Sequence, residues 1–339
     1  MKAVVTGGTG HVGSSLVEVL LERGYEVHCL VRETSDLTFL QSLNSEKLFF
    51  ARGDLTSPES ILDCLKGAQP DYVFHTAAAV GRWAPWKYFY DLNVVGTRHV
   101  VEAIEKTSSV KKLVHVSTYA VYGYESLLDV KEDHPYGKLH HSYSRSKMMA
   151  EEYLWEKYEG GKGLPIAIIR PPSVFGPQDR KNLTEILGLI KHRRTMLPGK
   201  GNQQNSWAYT YDIADLLIKM AEDDRATGEA FNVKTGDITS KELLEKLLDL
   251  LNITDVKIRN IPIWLARVGG WLGSAYGMLF RKKEGPLLHR QIIRMVIHHH
   301  TCNIEKAKHL LGWVPKISLE SALKKTIDWF IESGTYDGL

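Results

Sequence analysis

The sequence predicts an α/β protein: a doubly wound parallel sheet with a smaller, mostly helical C-terminal part. Three observations predict it. Six short apolar runs alternate with amphipathic helical stretches in the first half of the chain. A glycine-rich turn follows the first run at once. After Pro171-Pro172 the alternation gives way to mostly helical periodicity.

The strand candidates are residues 3–6, 26–31, 48–52, 72–75, 113–117 and 166–170, bounded by turn-forming residues. Between them, residues 14–23, 58–65, 91–106 and 143–158 carry helical spacing of apolar positions. Parallel neighbours need such crossover helices, because a hairpin cannot join them. Beyond Pro172, residues 183–192 read as a helix, then a polar stretch leads to 212–222 (helix) and 230–233 (strand). These last two are expected to return to the first domain. The expected division is residues 1–170 plus 208–234 for one domain and 171–207 plus 235–339 for the other.

The 339 residues are 43% hydrophobic and 24% charged, enough for about two domain cores. A formal net charge of +3 gives no reason to expect nucleic acid as a partner. Three widely spaced cysteines, Cys29, Cys64 and Cys302, form no disulfide framework and fit a reducing compartment. With the chain entering a strand at Lys2, a cytoplasmic protein is expected. Residues 261–283 invite a membrane reading, since Arg267 is the only charge before Arg281. Pro262 and four glycines interrupt the run, so a buried helical cap is preferred over membrane contact.

Thr6-Gly7-Gly8-Thr9-Gly10-His11-Val12-Gly13 lies between the first strand and the first helix. Glycines 8, 10 and 13 satisfy Gly-x-Gly-x-x-Gly, and 7, 10 and 13 satisfy Gly-x-x-Gly-x-x-Gly. A tight turn, close backbone approach and free helix-terminal amides are what a dinucleotide pyrophosphate requires. In this strand–turn–helix context the motif marks a Rossmann dinucleotide site. At the end of the second strand, Arg32 stands where NAD proteins place a carboxylate for the ribose. An arginine there suits the 2′-phosphate of NADP, with NAD retained as the alternative if Glu33 serves the ribose. Asp54-Leu55 follows the third strand and is expected at the adenine edge.

Tyr143-Ser144-Arg145-Ser146-Lys147 opens a helix, and a spacing of four puts Tyr143 and Lys147 on one face. A phenol ionises near pH 10, so an adjacent ammonium would bring it nearer to working pH. Upstream, the fifth strand ends in Ser117-Thr118-Tyr119-Ala120-Val121-Tyr122-Gly123, where hydroxyls meet the carboxyl edge of the sheet.

Together these pieces resemble the extended short-chain dehydrogenase/reductase family over nearly the whole chain. Phe74-His75-Thr76-Ala77-Ala78, Asn93-Val94-Val95-Gly96-Thr97 and Arg170-Pro171-Pro172-Ser173-Val174-Phe175-Gly176-Pro177 extend the likeness. Leu30-Val31-Arg32-Glu33-Thr34-Ser35 and Trp83-Ala84-Pro85-Trp86 narrow it to the branch of dihydroflavonol reductases, 3β-hydroxysteroid dehydrogenases and hopanoid-associated epimerase-like proteins. The resemblance implies an NADP-dependent oxidoreductase in which Tyr143 trades a proton with the substrate oxygen. It implies that Lys147 lowers the pKa of Tyr143 and holds the nicotinamide ribose. Thr118, rather than Ser117, would polarise the same oxygen, and Asn93 would support the cofactor or a water relay. Gly7, Thr9, Gly10, His11, Val12, Gly13, Arg32, Asp54, Leu55, Ala77, Ala78 and Pro171 would hold the cofactor.

Relatives that act on nucleotide sugars often carry an arginine and an aspartate before a Val-Asp-Asp-x-Ala signature. Here Ser206 and Trp207 occupy those places, and Tyr211 replaces the first Asp of the signature. A serine cannot replace a guanidinium clamping a diphosphate. Residues 81–90 hold five aromatics, Trp83 and Trp86 among them, expected to overhang the nicotinamide. With Trp264, Trp271, Tyr276 and Phe280 they point to an apolar small-molecule substrate, or equally to the core of the cap. Two alternatives remain at this stage: a sugar epimerase or dehydratase, and a non-catalytic NADP-binding sensor, against which Tyr143 and Lys147 stand. The run His298-His299-His300-x-Cys302 is not expected to bind metal, since neighbouring histidines diverge. The leucine-rich residues 241–251 suit core or homodimer packing.

Overall fold

A computed structural model describes residues 1–81, 84–139, 141–158, 163–279 and 290–337. Seven parallel strands form the main sheet: β1 (Lys2–Thr6), β2 (Glu26–Val31), β3 (Leu48–Arg52), β4 (Tyr72–His75), β5 (Lys112–Val116), β6 (Ile166–Arg170) and β7 (Glu229–Asn232). Their spatial order is β7-β6-β5-β4-β1-β2-β3. The order reverses beside β1, and the crevice at that switch point is where open α/β sheets bind ligands.

Both faces of the sheet are covered, so its strands bury alternate residues on opposite sides. Ala3 and Val5 of β1 and Val114 of β5 share one core with Leu16, Leu20 and Ile213. Val4 and Leu113 face the other side, among Ile61, Val100 and Leu154. The helices supplying these layers are α1 (His11–Glu22), α2 (Pro58–Ala68), α3 (Gly96–Glu105), α4 (Ser142–Tyr158) and α5 (Thr210–Glu222). Ser57 caps α2, accepting a hydrogen bond from the Ser60 amide, and Pro58 opens the helix without forfeiting a needed donor.

Residues 91–106, which read as one helix, divide in two. Tyr90–Val95 is a π-helical turn, and α3 begins at Gly96. Such turns accommodate an extra residue and cluster at functional sites.

The rest of the chain is mostly helical, and it also builds a small five-stranded sheet of three- to six-residue strands. Gln204–Tyr209 is its centre, paired with Ser173–Phe175, Gly236–Thr239 and His300–Cys302, and Leu127–Val130 lies beyond the last of these. Segments this short carry too few residues for an alternating pattern to register. The helix Ser240–Leu250 starts with a complete capping box between Thr239 and Glu242 and buries Leu243, Leu244, Leu247 and Leu248 in the local core.

One expectation fails here. The helix α6 (Ile263–Leu279) does not bury its large residues. Trp264 is 66% exposed and Trp271 62%, and Tyr276 is also exposed. Turned outward, these rings pack into no core, so the described part of the segment is not a buried cap. No helix among the described residues is long and apolar enough to cross a membrane.

Candidate active site

The turn after β1 depends on its glycines. Gly7 has φ of +76°, and a Cβ there would lie 2.6 Å from the Ala77 amide nitrogen. A Cβ on Gly13 would lie 2.1 Å from the Gly7 carbonyl oxygen. No side chain caps the first turn of α1, and no acid lies in it. The amides of His11, Val12 and Gly13 therefore face the turn with the positive end of the helix dipole behind them. Gly10 is exposed and Thr9 half-buried at its rim. The His11 ring is enclosed near Asp179 and the Gly176 backbone. Burial lowers its pKa, while Asp179 and a bond at the Gly176 backbone act in the opposite sense.

Around this turn stand the other expected cofactor contacts. The Ala77 amide donates to Thr6 Oγ1 at 3.4 Å, and Ala78 continues the same edge. Leu55 is buried under Gly96, and its carbonyl bonds His99 Nδ1 at 2.7 Å. Asp54 accepts from the Thr56 amide and hydroxyl at 2.8 and 2.7 Å. Burial opposes its ionisation, yet those two bonds and the charge of Arg32 hold its carboxyl below the ordinary value. Arg32 is exposed at the end of β2, and Arg52 donates to its carbonyl at 2.9 Å. Glu33 is exposed, 3.9 Å from Arg52. At this rim the guanidiniums of Arg32 and Arg52 stand among the carboxylates of Glu33 and Asp54.

The carboxyl edge of β5 holds the hydroxyls expected to react. Thr118 accepts from the Ala120 amide at 3.2 Å, fixing a 3₁₀ turn over Tyr119–Tyr122. Its hydroxyl is also hydrogen-bonded to that of Tyr143. Ser117 is turned the other way and donates to Glu151 inside the protein. Pro171 is buried next door, its carbonyl accepting from the Tyr119 amide at 2.7 Å. Burial pushes the Tyr143 phenol up to about 12, the Thr118 bond pulls the other way, and Tyr124 adds to the rise.

Lys147 shares a helix face with Tyr143, but its ammonium is aimed elsewhere. Nζ donates to the Val116 carbonyl at 2.6 Å and lies 3.0 Å from His115 Nε2. Burial brings its pKa down to about 7, against the pull of Glu151. The expected lowering of the Tyr143 pKa by Lys147 is therefore not what this geometry delivers; burial dominates the phenol. Asn93 is likewise committed. Its Oδ1 accepts from the Ala79 amide at 2.7 Å, and Nδ2 donates to the Ala79 carbonyl and to Ser146 Oγ. From within the π-helical turn it braces the loop after β4 against α4.

Several neighbours escaped the sequence reading. Glu151 and Arg170 form a buried ion pair at 2.6 Å under the site, and Tyr136 and Tyr122 each donate or accept within it. The rings of Phe89 and His141 lie 6.2 and 6.5 Å from Tyr143. Tyr124 is in turn 6.5 Å from His141. The spacing of aromatics around residue 89 was a signal for Phe89; nothing local pointed to Tyr124 or His141. Trp86 is half-buried with the Arg145 guanidinium 4.8 Å from its ring centre. Trp83 and Phe280 lie outside the described residues. Ser206 is buried in the small sheet, where it donates to Asp237 and accepts from the Cys302 amide.

The sequence of residues 3–233 matches the model of the NAD dependent epimerase/dehydratase family. The chain belongs to that family. Its fold is shared with a dTDP-glucose 4,6-dehydratase of Bacillus anthracis solved in complex with NAD, at a TM-score of 0.77 and 23% identity over 99% of this chain and 98% of that one. Among curated family relatives is a 4-hydroxy-2-methyl-3-oxo-4-farnesyl-3,4-dihydroquinoline-1-oxide ketoreductase of Stigmatella aurantiaca. It is 28% identical over 95% of each chain. A decarboxylating sterol-4-alpha-carboxylate 3-dehydrogenase of Mus musculus is 27% identical over 97% of this chain and 91% of its own. This protein is an NAD(P)-dependent enzyme of the extended short-chain dehydrogenase/reductase type, an oxidoreductase by its named relatives. The glycine cradle, which any Cβ would fill, and the uncapped helix terminus fit the dinucleotide the family uses.

Proposed function

We propose that the protein is an NADP(H)-dependent reductase or hydroxy-dehydrogenase of apolar ketones and secondary alcohols. The observation that carries the substrate class is Ser206. Where nucleotide-sugar relatives set an arginine against a diphosphate, this chain has a buried serine tied to Asp237 and Cys302. The cation beside it, Lys234, is ion-paired with the same Asp237 at 2.7 Å, and no guanidinium stands at position 206 to make charge-assisted bonds to a diphosphate. The rings of Phe89 and His141 around Tyr143 supply apolar contact for a ring-bearing or long-chain substrate instead. Arg32, with Arg52 beside it, supports the 2′-phosphate and hence NADP. The relatives named for ketone and sterol substrates point the same way.

In this reading the bound nicotinamide supplies or accepts the hydride. Tyr143 and Thr118 present their two hydroxyls to one substrate oxygen. Tyr143 donates the proton when that oxygen becomes an alcohol, and Thr118 stays hydrogen-bonded to it. Tyr143 is protonated at neutral pH, as a reductase needs before turnover, and burial raises its pKa further. Lys147 holds the end of β5 and α4 together through Val116 and His115.

The test is a screen following NADPH absorbance with β-keto esters, ketosteroids and flavanonols, beside thermal unfolding with UDP-glucose. Turnover of apolar ketones with no protection by the nucleotide sugar is expected. Protection by UDP-glucose, with no turnover of any ketone, would overturn the reading.

A further inference from the structure

The helix α6 is inverted relative to an ordinary surface helix. Its small residues face the protein: Ala266, Gly270 and Gly277 are buried. Gly270 is needed there, since a Cβ would lie 2.8 Å from Ile293 and 3.3 Å from the Arg290 backbone of the next helix, α7 (Arg290–Ile297). Its large residues face outward: Trp264, Leu265, Val268, Trp271, Leu272 and Tyr276. These are six of the fifteen exposed large hydrophobics among the described residues, gathered on one helix. Isolated exposed apolar residues are normal, but a contiguous set of this kind marks an interaction surface.

Charge identifies the partner. From Val256 to Leu279 the chain carries Lys257, Arg259 and Arg267 and no acid, and α7 adds Arg290 and Arg294 with none. Arg267, Arg290 and Arg294 are exposed. His298 feels Arg267 and Arg294 together, with Glu125 as the opposing charge, so the two helices pool their cations at one end. A second copy of the chain would bring two such cationic faces together, which like-charge repulsion disfavours. Among the described residues no helix is long and apolar enough to span, yet tryptophan, tyrosine and leucine flanked by arginine are what lies well in a headgroup layer.

We propose that the outer face of α6, with the cations of α6 and α7, docks the protein on an anionic lipid surface, with α6 lying in the plane of the interface. The proposal stands apart from the substrate reading. Docking would also set the site near the bilayer. The chain leaving α7 enters the strand His300–Cys302, whose His300 ring lies 6.1 Å from Tyr119 and 6.4 Å from Tyr124, beside Tyr143.

The experiment is co-sedimentation of the full chain with vesicles of pure phosphatidylcholine and of phosphatidylcholine with roughly one-third phosphatidylglycerol. We expect at least about tenfold stronger partitioning to the anionic vesicles, weakening as salt rises. A Trp264→Ser/Trp271→Ser double variant should lose about tenfold in binding while keeping its Tm and its affinity for NADPH. Arg267→Gln should reduce only the anionic preference. Wild-type protein that ignores both vesicles, or a double variant that binds as well as wild type, overturns the proposal. So does a concentration-dependent dimer that the double variant disperses, which would make the face a contact between copies.

Discussion

The two halves of the molecule treat large apolar side chains in opposite ways. In the seven-stranded sheet every central strand buries its valines and isoleucines on both faces. Along α6 the large residues are outside, and Ala266, Gly270 and Gly277 are inside. The difference teaches that apolar character alone does not tell where a residue goes. In the sheet, burial of large side chains supplies most of the stabilisation. In α6, close helix–helix approach requires small residues inward, and the large ones are left for something else to cover.

That contrast can be broken most severely beneath the active site. Glu151→Ala would leave the Arg170 guanidinium buried without its carboxylate, and removing one partner of such a pair costs on the order of 3–5 kcal/mol. A large fall in Tm is expected by calorimetry; an unchanged Tm would mean that water replaces the carboxylate.

Lys147 gives a pH signature. Its folded pKa, about 7, lies below the unfolded value of 10.5, so between those pH values the unfolded chain binds more protons. Stability from this group therefore rises with pH across that window and is lowest below it. Lys147→Met should flatten the slope of unfolding free energy against pH from about 7 to 10, a change of order a few kcal/mol over the window. The buried His75, brought down to about 3, acts in a different range, adding slope below pH 6.5. Equal slopes in wild type and variant above pH 7 would show that the ammonium is solvated.

Arg32→Asp tests the rim of the cofactor site. Charge-assisted bonds contribute about 1.5–3 kcal/mol each, so NADPH affinity should fall by roughly ten- to a hundredfold relative to NADH. Dissociation constants for both nucleotides in both proteins would show it, and an unmoved ratio would reduce Arg32 to a surface charge. At the other extreme, Trp271→Ser on the exposed face of α6 should move the unfolding free energy by no more than about 0.5 kcal/mol. A loss like that of a core tryptophan would mean the helix is packed where it reads as open.

Most of the sheet was legible in the sequence because two-sided burial writes each central strand as a continuous apolar run, and Gly7–Gly13 announces its turn. Tyr143, Lys147 and Thr118 were legible through spacing and context. What stayed hidden was set at long range. Glu151 is 19 residues from Arg170, and His115 is 32 from Lys147, pairings that only the packing of α4 on the sheet creates. The aim of Lys147 toward Val116 rather than Tyr143 was hidden for the same reason. In α6 the difficulty was different: a helix apolar on all sides has no polar face to say which side is inward.

The claim at the centre of the account is that Tyr143 and Thr118 hold one and the same substrate oxygen. A double-mutant cycle on kcat with the best ketone of the screen tests it, using Tyr143→Phe, Thr118→Val and both together. Tyr143→Phe alone should reduce turnover by about 10²–10⁴-fold with NADPH affinity kept. The second substitution should then add little, since groups acting as a unit are far from additive. Losses that simply multiply would contradict the shared oxygen, and a Tyr143→Phe enzyme with near-normal turnover would remove the proton donor from the account.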